Sequence, residues 1–231
     1  MNSPLFTIVF PAITLLLVFI GVLKLITKHR PLPAVTRFSI GVSAIVLAVS
    51  IFRWNLVEIF TPFLEPLLEL VVLIVFVIAL IWSLIFCLME FKRQKKIALL
   101  PVLINIATLI IVLFVPFTAI TLKINFYLNL DRREEVVEMI KNGAITPTSP
   151  SNDSIALPGK YKYLSSGGGD VIVENNGIEP NVFFFTYRGV IDNFAGFAFQ
   201  SGDSEPQKYD FGCEYVELQK IKDHWFWMSC T

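Results

Sequence analysis

Residues 66–89 read PLLELVVLIVFVIALIWSLIFCLM and contain a single charged side chain, Glu69. A helix needs about 20 apolar residues to cross the hydrocarbon core of a bilayer, because each residue adds about 1.5 Å. A soluble helix that is apolar on every side has to be deeply buried in a larger protein. The stretch therefore predicts a membrane-spanning helix.

Three further segments have the same character: residues 5–26, 37–54 and 97–122. The chain is 55% hydrophobic and 16% charged, whereas an ordinary soluble domain is about 45–50% apolar and about 25% charged. The 37–54 segment is short, and Arg37 and Arg53 would have to extend to the interface. It could instead be a re-entrant or surface helix. The sequence predicts four transmembrane helices within residues 1–122.

The distribution of charge predicts how these helices are oriented. Basic residues cluster after the first span, at Lys24, Lys28, Arg30 and Arg37, and again in the 90–96 loop. The loop between the second and third spans carries mainly acidic residues. Since cytoplasmic loops collect Lys and Arg, we expect a multi-pass protein of the cell membrane with both termini and the C-terminal region outside the cytoplasm. The 5–26 segment lacks a basic start, which favours a retained span over a cleaved signal peptide.

After residue 122 the composition becomes that of a small α+β domain. Residues 123–145 are expected to form a juxtamembrane helix, capped at Asp131 and ended by Gly143. Its apolar side would be Val136, Val137 and Ile140. Residues 146–158 are rich in Pro, Ser, Thr, Asn and Asp, which is typical of a linker.

Residues 159–231 predict an extracytoplasmic, β-rich domain. Short runs rich in aromatic and β-branched residues alternate with turn residues, which favours an antiparallel meander of five or six strands. The expected strands are 160–164, 170–174, 182–188, 194–200, 214–220 and 224–230. The 131–142 helix could cover one face of this sheet.

Two of the three cysteines, Cys213 and Cys230, lie in this domain. A hairpin of the last two strands, turning at Lys222-Asp223, would set Tyr215 opposite Cys230 and leave Cys213 one diagonal step away. A small shift or a bulge would then allow a disulfide, and the alternative is a pair of free thiols.

Six residues are weak candidates for a ligand or partner surface. The run Ser165–Gly169 is rich in glycine, but a strand rather than a helix is expected after it, so a phosphate loop is disfavoured. A flexible hairpin loop is the simpler interpretation. Polar residues near the strand ends could border a binding surface or be ordinary turn residues. The six candidates are Gly167, Gly168, Gly169, Asp170, Arg188 and Asp192.

Catalytic, metal and cofactor sites are not predicted. His29 and His224 fall on opposite sides of the membrane in the expected topology, and no metal-ligand spacing or nucleophile set is present in the sequence. An enzyme with a site at the junction between membrane and tail, around Arg132 and Arg133, is kept as an alternative.

Within the spans, Asn105, Thr108 and Thr118 could link helices, while Pro101 and Pro116 could kink the fourth span. No ionisable group lies near the centre of a span, which disfavours a pump. A channel or transporter subunit remains an alternative.

The leading hypothesis is a non-enzymatic membrane anchor that presents a binding or sensing domain, for example a protective or immunity-type factor. Its expected partners are the lipid bilayer and a protein or envelope component bound by the tail. Nucleic acid is not expected, because the basic 92–96 loop is too cramped between two spans to bind it. The oligomeric state is left open.

Overall fold

The computed structural model describes residues 32–146, 154–175, 179–189 and 193–231. The predicted 5–26 span and Asp192 lie outside these residues. In the described part of the chain, three helical segments are long and apolar enough to cross a membrane: Ala34–Arg53, Phe63–Gln94 and Lys96–Phe114. The expectation of four spans is therefore supported for three.

The second and third predicted spans belong to one helical segment, α1, at Ala34–Gln94. The expected loop between them is wrong, because helical hydrogen bonding continues through it. A straight helix would separate Ser39 from Ser83 by about 66 Å. However, both hydroxyls lie within 3.2 Å of the amide nitrogen of Asn105. The axis of α1 therefore reverses, and the two spans lie side by side.

The third predicted loop is also shorter than expected. Helix α1 ends at Gln94 and helix α2, Lys96–Phe114, begins two residues later. Lys95 alone breaks the helix, with a φ of 38°. Asn105 of α2 contacts Ser83 of α1, so the chain reverses its direction at Lys95.

The predicted 97–122 span is divided at Pro116. Helix α2 ends at Phe114 and helix α3 spans Phe117–Leu128. Proline disfavours the helical conformation of the residue before it, and Val115 has an extended backbone with a φ of −90° and a ψ of 116°. Pro101, in contrast, lies inside α2.

Helix α4, Leu130–Lys141, follows directly. The predicted cap at Asp131 is wrong. The N-cap position is Asn129, the helix begins at Leu130, and Asp131 lies in its first turn. Its C-terminal end is as expected. Gly143 has a φ of 69°, its N–H donates to Ile140, and the N–H of Ala144 donates to Met139, which is a Schellman motif.

Six strands form one antiparallel sheet. They are β1 Ser154–Ala156, β2 Asp170–Glu174, β3 Asn181–Arg188, β4 Phe194–Phe199, β5 Tyr215–Lys222 and β6 Trp225–Cys230. Their order in the sheet is β1-β2-β3-β4-β6-β5, so the expected simple meander is wrong at its end. The apolar strand β6 lies inside the sheet, and β5, which carries exposed charged residues, forms the edge.

Three other assignments differ from the sequence prediction. The 160–164 segment is a 3-10 helix, Gly159–Leu164, rather than a strand. Its buried residues, Tyr161 and Leu164, are three positions apart and therefore face the same side of a 3-10 turn. The predicted 146–158 linker contains β1, in which Ile155 is buried. The last hairpin turns at Asp223-His224 rather than one residue earlier.

Both faces of the sheet are covered. On one face, the Phe126 ring of α3 lies 5.1 Å from Phe197 and 5.5 Å from Trp225. Helix α4 lies on the same face, where Arg133 and Lys141 contact the Phe197 and Phe199 rings. Its buried apolar residues are Val136, Val137 and Ile140, as the sequence predicted. On the other face, Phe211 packs against Phe183 in a cluster with Phe226 and Met228.

The chain divides into two compact units. Among the described residues, the first comprises 32–53 and Leu67–Ile124, which hold most of the apolar spans. The second comprises Asn125–Thr231 together with Trp54–Pro66, the part of α1 in which its axis reverses. The segment that joins two spans is therefore part of the tail unit.

Candidate functional site

One end of the sheet gathers most of the residues that the sequence singled out. Arg188 pairs with Phe194, Phe194 with Cys230, and Cys230 with Tyr215, across four adjacent strands. At about 4.8 Å per strand, this row extends over roughly 14 Å. It lies at the opposite end of β6 from Trp225, which packs on α3 near the point where the chain enters the tail unit. We call this row and the loops that adjoin it the distal rim.

A disulfide lies at one corner of the distal rim. Cys213 and Cys230 are bonded, with their Cα atoms 5.2 Å apart, and Tyr215 is opposite Cys230 in the register. The register shifts between Tyr215 and Glu217, as a bulge would require. Both cysteines are buried in the Phe211 cluster. The bond therefore attaches the loop before β5 to the end of the chain.

This corner exposes two large side chains. The N–H of Tyr209 donates to the carbonyl of Cys213 over 2.9 Å, which brings the Tyr209 loop beside the start of β5. The Tyr209 side chain is 63% exposed and Val216 is 66% exposed. Lys208 and Glu214 form an ion pair of 2.6 Å between them, and Glu214 raises the pKa of Lys208. Lys208 also lies 5.4 Å from the centre of the Tyr209 ring, so an exposed aromatic residue borders this ion pair.

The glycine-rich loop forms the other corner of the distal rim. Gly167, Gly168 and Gly169 all have positive φ values of 77°, 122° and 82°. A Cβ on Gly169 would lie 2.7 Å from the Cα of Lys162, so the loop passes too close to the 3-10 helix for any side chain there. This loop joins the 3-10 helix to β2 and is not the expected hairpin between two strands.

Arg188 is positioned across this loop. Its guanidinium lies 3.8 Å from the centre of the Phe185 ring, and its Nη1 is 3.7 Å from Oδ2 of Asp170. Partial burial lowers the pKa of Arg188, although the Asp170 carboxylate opposes that effect. The Ser165 hydroxyl donates to the carbonyl of Asp170 and accepts the N–H of Phe185. Five of the six predicted surface residues are thus brought to one corner, and the sixth, Asp192, lies outside the described residues.

Arg133, one of the two arginines of the predicted junction site, makes contacts that stabilise the fold. Arg133 is buried, and its guanidinium donates to the carbonyl oxygens of Asn125 and Phe126 at 3.2 and 3.3 Å and to Asn125 Oδ1 at 2.6 Å. The last carbonyls of a helix lack intrahelical donors, so Arg133 caps α3. It also lies 4.6 Å from the Phe197 ring. Burial lowers the pKa of Arg133 to about 10.

Arg132 points away from this buried site and is exposed. It pairs with Glu135 at 2.9 Å, and Lys160 is 3.8 Å from the same carboxylate. The Tyr161 hydroxyl and the Arg132 guanidinium hold the pKa of Glu135 below its ordinary value. The two neighbouring arginines therefore have separate roles, one inside the domain and one on its surface.

His224 also has backbone partners. Its Nδ1 lies 3.1 Å from the carbonyl of Gln200 and 3.2 Å from that of Gly202, which suits the tautomer with a proton on Nδ1. Its φ of 65° places it in the β5–β6 turn. Within the described ranges, no three His, Cys, Asp or Glu side chains are grouped so that they could hold a metal ion.

Sequence reasoning missed the residues that make the corner at Tyr209 distinctive. The region 201–210 is predicted as a polar turn, whereas Phe211, which follows it, packs in the core. Tyr209, Phe211 and Gly212 all have positive φ. Two aromatic residues inside a polar loop were the available signal. No protein-family model matches this chain, and no curated protein or solved structure does so either.

Proposed function

We propose that the protein is a membrane anchor whose extracytoplasmic domain binds a protein or envelope component through the distal rim. The observation that carries this proposal is the exposed Tyr209 ring beside the Lys208–Glu214 ion pair, together with the exposed Val216 side chain on the adjoining strand β5. Apolar patches rimmed by polar groups are typical of protein interaction sites. Tyrosine is enriched at such sites because it combines apolar area with a hydrogen-bonding hydroxyl.

The position of the patch supports the same function. The distal rim is at the end of β6 away from Trp225, so it is remote from the place where α3 meets the sheet. The disulfide fixes the patch in place, which lowers the entropy that binding has to overcome.

Side chains, rather than strand pairing, would form most of the interface. The edge strand β5 has register shifts at Tyr215/Glu217 and Lys220/Lys222, and Lys220 and Lys222 form ion pairs with Asp223 and Glu134. Bulges and lysines are devices that block the addition of another strand. We infer that the partner packs against Tyr209 and Val216.

Extracytoplasmic location is supported by two independent features. Basic residues concentrate in the 24–37 and 90–96 regions, which favours a cytoplasmic location for both. Stable disulfides form in oxidising compartments, and Cys213 and Cys230 are bonded. A protective or immunity-type factor that intercepts a molecule at the membrane surface is one form of this function.

The same unit suggests how binding could be sensed. Trp54–Pro66, which joins two spans, belongs to the compact unit of the tail. A partner that alters the tail unit would therefore act on a segment continuous with both spans. We propose that the protein can relay binding to its membrane helices through this segment.

Site-specific photo-crosslinking in native membranes tests the proposal. A photoreactive amino acid is placed in the full chain at Tyr209, and Tyr163 is the matched control, because it is a tyrosine that is 61% exposed elsewhere in the tail unit. We expect a discrete adduct from position 209 that is absent from position 163. Equal adducts at both positions, or none at position 209 while the purified protein conducts ions in liposomes, would favour the channel alternative.

The compartment needs its own test. A reporter that is active only outside the cytoplasm is fused after Thr231 or inserted next to Lys95. The C-terminal fusion should be active and the Lys95 insertion inactive. The reverse result would place the tail in the cytoplasm and remove the proposed function.

A further inference from the structure

Polar side chains meet inside the bundle of apolar spans. The amide nitrogen of Asn105 lies 3.1 Å from the Ser83 hydroxyl, 3.2 Å from the Ser39 hydroxyl and 3.3 Å from the carbonyl of Ala79. All four residues are fully buried. One α2 side chain thus contacts both limbs of α1, that is, the spans Ala34–Arg53 and Phe63–Gln94.

The orientation of the Asn105 amide follows from these partners. A carbonyl can only accept, so the Asn105 group that faces Ala79 has to be the NH₂. The two hydrogens of this NH₂ group are shared among the Ala79 carbonyl and the Ser39 and Ser83 hydroxyls. The amide oxygen, Oδ1, must therefore point elsewhere.

This oxygen is buried and has no hydrogen-bond partner among the described residues. Two hydroxyl oxygens on the part of α1 that carries Ser39 are also buried without a hydrogen-bond partner among the described residues. They are Thr36 Oγ1 and Ser43 Oγ. Thr36 and Ser43 lie about one helical turn on either side of Ser39, at a rise of about 1.5 Å per residue. A buried polar atom without a partner costs about 1–3 kcal/mol, and a bilayer supplies no compensating donor.

Because an amide oxygen only accepts, any group that bonds to Asn105 Oδ1 has to be a hydrogen-bond donor. We propose that this site binds a buried water molecule, which donates to Asn105 Oδ1 and bonds to the hydroxyl of Thr36 or Ser43. Buried waters usually make two to four hydrogen bonds to otherwise unpaired groups, about three on average. A cation is disfavoured because the sequence provides no carboxylate between Arg37 and Arg53 or between Leu70 and Met89.

The surroundings indicate a closed site rather than a conduit. Val42, Phe76 and Ala79 form a buried apolar cluster next to the Ala79 carbonyl. The Phe38 and Trp82 rings, 5.3 Å apart, are adjacent in sequence to Ser39 and Ser83. Apolar groups therefore flank the polar one, and the water would complete the packing of three spans rather than form part of a permeation path.

X-ray hydroxyl-radical labelling of the full chain in lipid nanodiscs tests this proposal. Radicals generated from a bound water label the side chains around it, even where bulk solvent does not reach. We expect labelling of Phe76 and Val42 in the native chain and a decrease of about threefold or more in Asn105→Leu. Thr108→Val is the matched control, because the Thr108 hydroxyl already bonds to the Ile104 carbonyl at 2.9 Å, and it should leave labelling unchanged.

Two further arms keep the test decisive. If Asn105→Leu does not fold, the double variant Thr36→Val/Ser43→Ala removes the second partner and should reduce the same labelling. Unchanged labelling in the folded variant would overturn the proposal. Exchange of choline for sodium or potassium should leave the Tm unchanged, and a rise with either ion would show that a cation occupies the site instead.

Discussion

Arg53 and Glu69 form an ion pair of 3.0 Å although sixteen positions of one helical segment separate them. A straight helix would hold the two residues about 24 Å apart. The pair therefore marks the base of the reversal in α1. It is largely exposed, so its own contribution to stability is small, about 0–1 kcal/mol, and apolar packing of the two limbs has to maintain the reversal.

The reversal can be measured directly with spin labels. Labels at Phe38→Cys and Trp82→Cys, in a background with Cys87→Ala, should report a distance below about 25 Å, whereas a straight helix predicts about 66 Å. Labels at Leu67→Cys and Ile85→Cys on a single limb should report about 27 Å. A long distance for the first pair would contradict the antiparallel arrangement.

Arg133 should be far more important for stability than its neighbour Arg132. Arg133→Ala removes the donor to the Phe126 carbonyl and to Asn125 Oδ1 and opens a cavity beside Phe197, so we expect a loss of about 3 kcal/mol. Arg132→Ala removes an exposed pair and should cost under about 0.5 kcal/mol. Chemical denaturation in detergent, followed by tryptophan fluorescence, compares them. Equal losses would show that the cap does not stabilise the domain.

The disulfide should contribute measurably to the stability of the tail unit. It closes a loop with a sequence separation of 17, which corresponds to about 3 kcal/mol in the chain-entropy model. Cys213→Ser/Cys230→Ser should therefore unfold at lower denaturant concentration, and reductant should shift only the native protein.

Thiol labelling of the same protein provides a check inside cells. After denaturation without reductant, a thiol reagent should modify one cysteine per chain, Cys87, which is free. Modification of all three would show that the tail cysteines are reduced and would weaken the extracytoplasmic assignment.

The glycine-rich loop supplies a prediction with an internal control. Gly169→Ala forces a side chain into a backbone with a φ of 82° and against Lys162, so it should cost at least about 2 kcal/mol. Gly202→Ala meets only the Ser204 side chain and backbone at 3.8–4.0 Å and should change stability by under about 0.5 kcal/mol. Thermal denaturation of both variants tests whether the close approach of Gly169 to Lys162 is required for stability.

Most departures from the sequence prediction have a common physical cause. The segment Lys160–Leu164 alternates polar and apolar residues as a strand does, but Tyr161 and Leu164 are both buried where the turn packs against α4, and this favours a 3-10 turn. Strand β6 is central because residues on both of its faces are buried, including Trp225, Phe226 and Met228. Local patterns report periodicity, whereas strand order depends on which strands can bury both faces.

The sequence by itself determined the division of the chain. Long apolar runs specify membrane helices, and Gly143, Pro116 and the aromatic runs specify where helices end and strands begin, because these effects act within a few residues. Only the tertiary structure decided that Ser39 and Ser83 meet at Asn105, and that Arg188 and Cys230 share one end of a sheet. Such contacts depend on chain reversals and strand pairing across tens of residues, which local sequence does not encode.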